Sequence, residues 1–133
     1  MRVAELMHTG VQTVAPEALV AEVVQAMADS HVSGLPVVDS AGHVLGVVSA
    51  TDVLQATAEH DDATARSRLF AHTTARDLMT AKALSIEPDA DVRQAAQQML
   101  YAEVRRLFVE EQGRLVGVIS QSDIAYAMGT GKL

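Results

Sequence analysis

The feature that most constrains this chain is an internal repeat, because it implies two copies of one fold. A shift of 72 positions aligns the two halves of the 133-residue sequence, and after a one-residue deletion in the second half the shift becomes 71. The matched pairs include Leu6-Met7 with Leu78-Met79, Pro16 with Pro88, Met27 with Met99, Gly42 with Gly113, Gly46 with Gly117, Ser49 with Ser120, and Asp52 with Asp123. The gap lies in a turn, where an insertion is best tolerated.

Each copy has the pattern strand, helix, strand, strand, helix. Short strands are predicted at Gln12–Val14 and Leu84–Ile86. Apolar residues then recur at i, i+3, i+4 and i+7, which predicts an amphipathic helix in each copy. These stripes are Val20, Val23, Val24 and Met27, and Val92, Ala95, Ala96 and Met99. Strands at Leu35–Val38 and Val44–Val48, and a helix beginning near Ala50, complete the first copy. The predicted fold class is α/β (α+β), with a parallel, right-handed first crossover followed by a hairpin.

The domain organisation follows from the repeat. We expect a first repeat over residues 1–57, a helix extension and linker over 58–74, and a second repeat over 75–133. A unit of about 55 residues is close to the lower limit for independent folding. We therefore expect the copies to pack against each other around a pseudo-twofold axis.

Composition and charge exclude several classes. Hydrophobic residues make up 49% of the chain and charged residues 20%, so the chain is globular. There is no cysteine, no apolar stretch of the roughly 20 residues that span a bilayer, and no signal-peptide pattern at the start. We therefore expect a cytoplasmic protein. The net charge of -7 and the aromatic content of 3% argue against duplex DNA, anionic membranes and single-stranded nucleic acid as partners.

The best candidate for chemistry is the point where the third strand of each copy meets the following helix. The amide groups at a helix N-terminus favour an anion there, and hydroxyls at Ser49, Thr51, Ser120 and Ser122 can donate to a phosphate. The carboxylates of Asp52 and Asp123 can each accept hydrogen bonds from a vicinal diol such as ribose. The same Ser-x-x-Asp spacing is also that of a capping box, with serine as N-cap and the acid at N3. Both interpretations remain open, and they can coexist.

Both copies resemble the CBS domain, which is named for cystathionine β-synthase, and the chain looks like a stand-alone tandem pair. The resemblance covers nearly everything from Val3 to Met128. It depends on the Leu-Met pair, Leu35-Pro36-Val37-Val38-Asp39, the Gly42 turn, and Gly46 to Asp52 with its second-copy match. It implies a module that binds AMP, ADP, ATP or S-adenosylmethionine in the cleft between the copies. It also implies that two pairs associate into a flat, disc-like homodimer.

The resemblance also implies roles for individual residues. The ribose-binding acid would be Asp52 or Asp123, and the hydroxyls on the phosphate side would be Ser49 and Thr51, or Ser120 and Ser122. The base would lie against Thr13-Val14 and Ser85-Ile86, mostly through backbone groups and apolar contact. Arg105-Arg106 occupies the place where some relatives have basic residues that meet phosphates, and the alternative is that both arginines are solvated surface residues. The first copy has Ser33-Gly34 where the second has the arginines, so we expect two unequal sites. The second copy also departs from the family with Phe108 in place of a proline and with Glu110-Glu111.

Other functions have little support in the sequence. The five histidines lack ligand spacing, so no metal site is expected, and no nucleophile or phosphate-loop motif is present. We therefore expect a non-catalytic ligand sensor that requires no cofactor and regulates an unidentified partner protein. The alternative is a structural dimerisation module with no physiological ligand. In either case we expect a homodimer, formed through helix faces that include part of the Met27 and Met99 stripes.

Overall fold

The structure is a computed structural model that describes residues 1–60, 62–81 and 84–133. The elements, in chain order, are α1 (Val3–Leu6), α2 (Val20–Ser30), β1 (Gly34–Val38), β2 (Val44–Ser49), α3 (Ala50–Ala58), α4 (Ala63–His72), α5 (Ala75–Leu78), β3 (Ser85–Ile86), α6 (Val92–Ala102), β4 (Arg106–Glu111), β5 (Arg114–Ser120) and α7 (Gln121–Gly129). Within the described ranges, no helix is both long enough and apolar enough to cross a membrane. The predicted mixed α/β fold with two repeats is confirmed.

Residues 12–83 form one compact unit. Strands β1 and β2 are antiparallel, and Val14 forms a parallel bridge to Val37 on the other side of β1. The apolar stripe of α2 packs against this small sheet. The core consists of Val14, Val20, Val23, Met27, Leu35, Val37, Val48, Val53 and Ala75. The i, i+3, i+7 spacing of the α2 residues places them on the helix face that is buried.

Residues 1–11 and 84–133 form the second compact unit. Its sheet has the order β3-β4-β5, with β3 parallel to β4 and β5 antiparallel to it. Helix α6 contributes the same stripe as α2. The core consists of Val3, Val92, Ala95, Met99, Leu107, Val109, Ile119 and Ile124.

Each compact unit contains the short helix that opens the other sequence repeat. Val3 of α1 is fully buried in the unit that contains the second repeat. Ala75 of α5 is fully buried in the unit that contains the first repeat. The predicted boundaries of the repeats stay a prediction about the sequence, and the compact units divide the chain at other positions.

Backbone hydrogen bonds hold the residue that follows each Leu-Met pair. The His8 N–H donates to the Val118 carbonyl at 2.8 Å, and the Val118 N–H donates back to His8 at 2.9 Å. In the other unit, Thr80 donates to the Val47 carbonyl at 2.9 Å and accepts from the Val47 N–H at 3.0 Å. We call these two reciprocal pairs the backbone clamps.

The matched glycines of the repeat allow the clamps to form. A Cβ atom added at Gly117 would lie 2.8 Å from the His8 carbonyl oxygen. A Cβ atom added at Gly46 would overlap the Thr80 carbonyl oxygen. Only glycine lets the two backbones approach this closely, which accounts for its recurrence at this position.

The first strand of the two repeats differs in how far its pairing extends, because of one residue in the neighbouring strand. The Phe108 N–H donates to the Leu84 carbonyl at 3.1 Å and so extends the pairing of β3 with β4. Pro36 occupies the matched position in β1 and has no N–H to donate to Gln12. The predicted strand at Gln12–Val14 is therefore reduced to the single bridge at Val14.

The segment predicted as a helix extension and linker contains a second helix. Helix α3 ends at Ala58, and α4 is a separate helix because the Asp62 carboxylate accepts from the Ala65 N–H at 2.7 Å and caps a new start. Met27 and Met99 are 7% and 0% exposed because each fills the core of its own unit. The contact of other parts of their helix faces with a second chain stays a prediction.

The clamp at Gly117 can be tested by the variant Gly117→Ala. We expect its free energy of unfolding to fall by about 1–3 kcal/mol, because the added methyl group forces the His8 backbone away from β5. Urea denaturation measures the change. Gly129→Ala is the matched control, since nothing lies within 4 Å of a Cβ atom at that position. Equal stability of Gly117→Ala and the parent would contradict the proposed role of the glycine.

Candidate functional site

The serine, threonine and aspartate residues predicted to bind phosphate and ribose lie where a strand ends and a helix begins in each unit. We define the first junction as Ser49–Asp52, between β2 and α3, and the second junction as Ser120–Asp123, between β5 and α7. In the sheet register, Gly34 pairs with Ser49 and Arg106 pairs with Ser120. Each junction therefore lies at the end of the sheet where the neighbouring strand starts.

The first junction forms a capping box. The Ser49 Oγ accepts from the Asp52 N–H at 3.2 Å, and the Asp52 Oδ2 accepts from the Ser49 N–H at 2.8 Å. The Ser49 hydroxyl also donates to the same Oδ2 at 2.9 Å. Among the described residues, Asp52 Oδ1 has no hydrogen-bond partner, and the Thr51 side chain between the two is exposed.

The second junction repeats this box. The Asp123 Oδ2 accepts from the Ser120 N–H at 2.8 Å, and the Ser120 Oγ accepts from the Asp123 N–H at 3.1 Å. Ser122 is exposed, as Thr51 is. The capping interpretation therefore describes the geometry at both junctions.

A third box in the chain separates capping from ligand chemistry. Thr74 and Asp77 open α5 with the same pattern, and the Asp77 Oδ2 accepts from the Thr74 N–H at 3.1 Å and from its hydroxyl at 3.0 Å. The Thr74 N–H is the main cause that lowers the pKa of Asp77 below its ordinary value. This box does not follow a strand, and Arg76 stands where the junctions have a hydroxyl. A capping box alone therefore does not identify a ligand site in this chain.

Capping leaves acceptor capacity at the junctions. An ionised carboxylate offers about four lone-pair sites on its two oxygens. At both junctions the box uses only Oδ2. Asp52 thus combines a role in capping with an Oδ1 atom that remains able to accept from a ligand hydroxyl.

Asp123 has an additional partner that the sequence reasoning missed. Its Oδ1 lies 2.7 Å from the His8 Nε2, and since an ionised carboxylate only accepts, the Nε2–H donates. The side chains are 16% exposed for Asp123 and 67% exposed for His8. The sequence contained one indication of this contact. His8 directly follows a matched Leu-Met pair, but it differs from Thr80, the residue at the same place in the other repeat.

The predicted phosphate-side arginines lie beside the second junction. Arg105 and Arg106 are both exposed, and the Arg105 carbonyl accepts from the Gln121 N–H at 2.9 Å. At the first junction the Ser33 carbonyl accepts from the Ala50 N–H at 2.8 Å in the same way. The backbone is equivalent, and only the second junction has cationic side chains at these positions.

The residues predicted to frame a base lie on the far side of β1 or β4 from the junctions. Val14 is buried, and its N–H and carbonyl are both used by β1, with distances of 3.1 and 2.9 Å to Pro36 and Val38. Thr13 and Ile86 are half-buried, and Ser85 is exposed. The Val14 backbone groups are therefore used in the sheet, and the role of these four residues beside a base stays a prediction.

Within the ranges that the structure describes, no group of three or more His, Cys, Asp or Glu residues could hold a metal ion.

The chain matches the family model for the CBS domain at residues 3–59 and 75–130. It is 29% identical to the CBS domain-containing protein YhcV of Bacillus subtilis (strain 168), over 92% of this chain and 82% of that protein. It is 34% identical to the 5'-AMP-activated protein kinase subunit gamma-3 of Bos taurus, over 75% of this chain but only 20% of that subunit. Among solved structures, CBSX2 in complex with AMP matches with a TM-score of 0.80 and 27% identity, covering 99% of this chain and 98% of that one.

The caps can be tested without any ligand. We expect Ser49→Ala and Ser120→Ala each to lower the free energy of unfolding by about 0.5–2 kcal/mol, because each removes an N-cap acceptor. Thermal and urea unfolding measure the loss. Thr51→Ala is the control, since its exposed side chain has no hydrogen bond among the described residues, and it should change stability by less than about 0.5 kcal/mol. If the serine variants and the control are equally stable, the serines do not act as caps.

Proposed function

Because this chain belongs to the CBS domain family, with two tandem repeats, we propose that it is a non-catalytic regulatory module that binds an adenosine-containing ligand. The observation that carries the proposal is the duplicated junction, in which helix amides, a hydroxyl and a carboxylate occur together at the end of a strand. The likeness to CBSX2, whose structure contains AMP, supports an adenine nucleotide as the ligand.

The ribose would bind to the junction carboxylates. A vicinal diol presents two hydroxyl donors, and Asp52 Oδ1 is an acceptor left over after capping. The carboxylate is held in position by the box, so little side-chain entropy is lost when a diol binds. The exposed hydroxyls of Thr51 and Ser122 would donate to a phosphate near the helix N-termini.

Charge favours a phosphorylated ligand over S-adenosylmethionine. The chain has a net charge of -7, so an anionic ligand needs local cations. Arg105 and Arg106 are exposed beside the second junction and can supply them. S-adenosylmethionine offers these arginines one carboxylate and carries positive charge itself, whereas a phosphorylated ligand presents more negative charge to them. We therefore propose AMP, ADP or ATP ahead of S-adenosylmethionine.

Binding would act on a partner through a shift in population. A ligand changes a conformational equilibrium only by its differential affinity for the two states. A nucleotide held at the start of α3 or α7 would stabilise the conformation in which those helix starts and their clamped strands are ordered. A regulated protein that recognises this conformation would then respond to the nucleotide.

The binding site can be tested by isothermal titration calorimetry with AMP. We expect the double variant Asp52→Ala/Asp123→Ala to lose about 10- to 150-fold in affinity, which corresponds to the roughly 1.5–3 kcal/mol of a hydrogen bond to a charged group. Asp77→Ala is the matched control, because it removes the same capping box away from the junctions. Measurements are made at a temperature where all variants are folded.

The control decides between the two candidate functions. If Asp77→Ala and the double variant both melt earlier and bind AMP equally well, the acids act only as caps. If the parent binds none of AMP, ADP, ATP and S-adenosylmethionine, the ligand-sensor proposal is wrong and the structural dimerisation module takes its place.

We also propose that the chain forms a homodimer, through a surface other than the methionine stripes. Tyr126 and Met128 on α7 are 77% and 65% exposed. Tyr126 belongs to a shallow depression of α7 that is lined by Ser122, Ala125, Tyr126, Gly129 and Thr130. Small residues beside exposed apolar ones suit close contact between two copies of one helix, since a twofold interface brings the same surface together from each chain.

The homodimer can be tested by light scattering. We expect the parent to have twice the 14.1 kDa mass of one chain at micromolar concentration. Tyr126→Glu should shift it to the monomer, because it would bury a charge without a partner. Gln97→Glu adds the same charge at an exposed position of α6 and should leave the dimer intact. A monomeric parent, or a dimer that tolerates Tyr126→Glu, contradicts this surface.

A further inference from the structure

The two junctions are equivalent in backbone but not in the side chain beside the acid. The clamps place residue 8 against Val118 and residue 80 against Val47. Each of these strand residues precedes the N-cap serine of its junction by two positions. His8 and Thr80 therefore start from the same place relative to Asp123 and Asp52.

The side chains of His8 and Thr80 differ in length, and only that of His8 reaches the junction acid. The His8 imidazole extends to Asp123 Oδ1 at 2.7 Å. The shorter Thr80 side chain forms no hydrogen bond with Asp52 in the part of the chain that the structure describes. Asp123 thus has both carboxylate oxygens in use, one by the capping box and one by His8, whereas Asp52 has only Oδ2 in use.

We propose that residue 8 and its counterpart, residue 80, set the order in which the two junctions bind a ribose diol. The proposal rests on the function proposed above. The diol meets an unoccupied oxygen at Asp52, so the first junction binds unphosphorylated adenosine more tightly. At Asp123 the diol has to displace the His8 imidazole, so the second junction fills with adenosine only at higher concentration.

The geometry of the pair determines the size of the effect. A short N–H to carboxylate bond is charge-assisted and stronger than a neutral one. His8 is nevertheless 67% exposed, so water compensates for most of its loss when it is displaced. Exposed pairs of this kind contribute about 0.2–1 kcal/mol, which corresponds to an affinity difference of up to about fivefold. His8 therefore weakens the second junction without closing it.

The experiment isolates each junction and exchanges its neighbouring residue. Asp52→Ala leaves only the second junction acid, and Asp123→Ala leaves only the first. In the Asp52→Ala chain, adding His8→Thr should tighten adenosine binding about two- to fivefold. In the Asp123→Ala chain, adding Thr80→His should weaken it by a similar factor, while adding His8→Thr should leave it unchanged. Calorimetry with adenosine measures all five chains, at a temperature where circular dichroism shows each to be folded.

Two further probes separate competition with the diol from other effects. 2′,3′-Dideoxyadenosine lacks both hydroxyls, so His8→Thr should not change its binding in the Asp52→Ala chain. His8→Gln keeps an N–H donor at the end of the side chain, so it should retain the weaker adenosine binding of the histidine chain.

The outcomes distinguish this inference from the function on which it rests. If no chain binds adenosine, both are wrong. If adenosine binds and His8→Thr leaves its affinity unchanged in the Asp52→Ala chain, the inference alone is wrong. If His8→Thr weakens adenosine binding there, His8 contributes a ligand contact instead of competing with one, and the proposed order of the junctions is overturned.

Discussion

The backbone clamps are the constraint on which the rest of each unit depends. Two hydrogen bonds join the residue after each Leu-Met pair to the strand that contains the matched glycine. The glycine has no side chain, so the two backbones can approach closely. The clamp brings a short helix from the other repeat into the core, as the full burial of Val3 and Ala75 shows. The clamped strand residue, Val118 or Val47, precedes the N-cap serine by two positions. The clamp therefore also determines which residue, His8 or Thr80, lies beside the junction acid.

Stability and the proposed binding share atoms at the junctions. Ser49 and Asp52 begin α3 by satisfying backbone groups that the helix cannot satisfy itself, and Ser120 and Asp123 do the same for α7. The third box, at Thr74 and Asp77, shows that the same box also forms at a helix start away from the junctions. What the junctions add is their place at a strand end, the exposed hydroxyl, and the carboxylate oxygen that the box does not use.

Both repeats contain the same helix cap, and they differ in residues elsewhere in the unit. In the alignment of the two repeats, His8 corresponds to Thr80, Arg105-Arg106 to Ser33-Gly34, and Phe108 to Pro36. The first difference changes what Asp123 contacts, the second adds positive charge at one junction, and the third turns a single bridge into the strand β3. The first two differences alter the surroundings of the second junction, and all three leave the fold of the unit intact.

The sequence by itself determined the elements that local pattern controls. The apolar spacing of α2 and α6, the continuous run of β2 and the Ser-x-x-Asp starts of α3 and α7 were all readable, because helix and strand periodicity and capping act over a few residues. The placement of α1 and α5 in the unit of the other repeat, and the contact between His8 and Asp123, were decided only by the tertiary structure. These contacts join positions far apart in the chain, as His8 and Asp123 are, and their partners depend on how the backbone is folded between them.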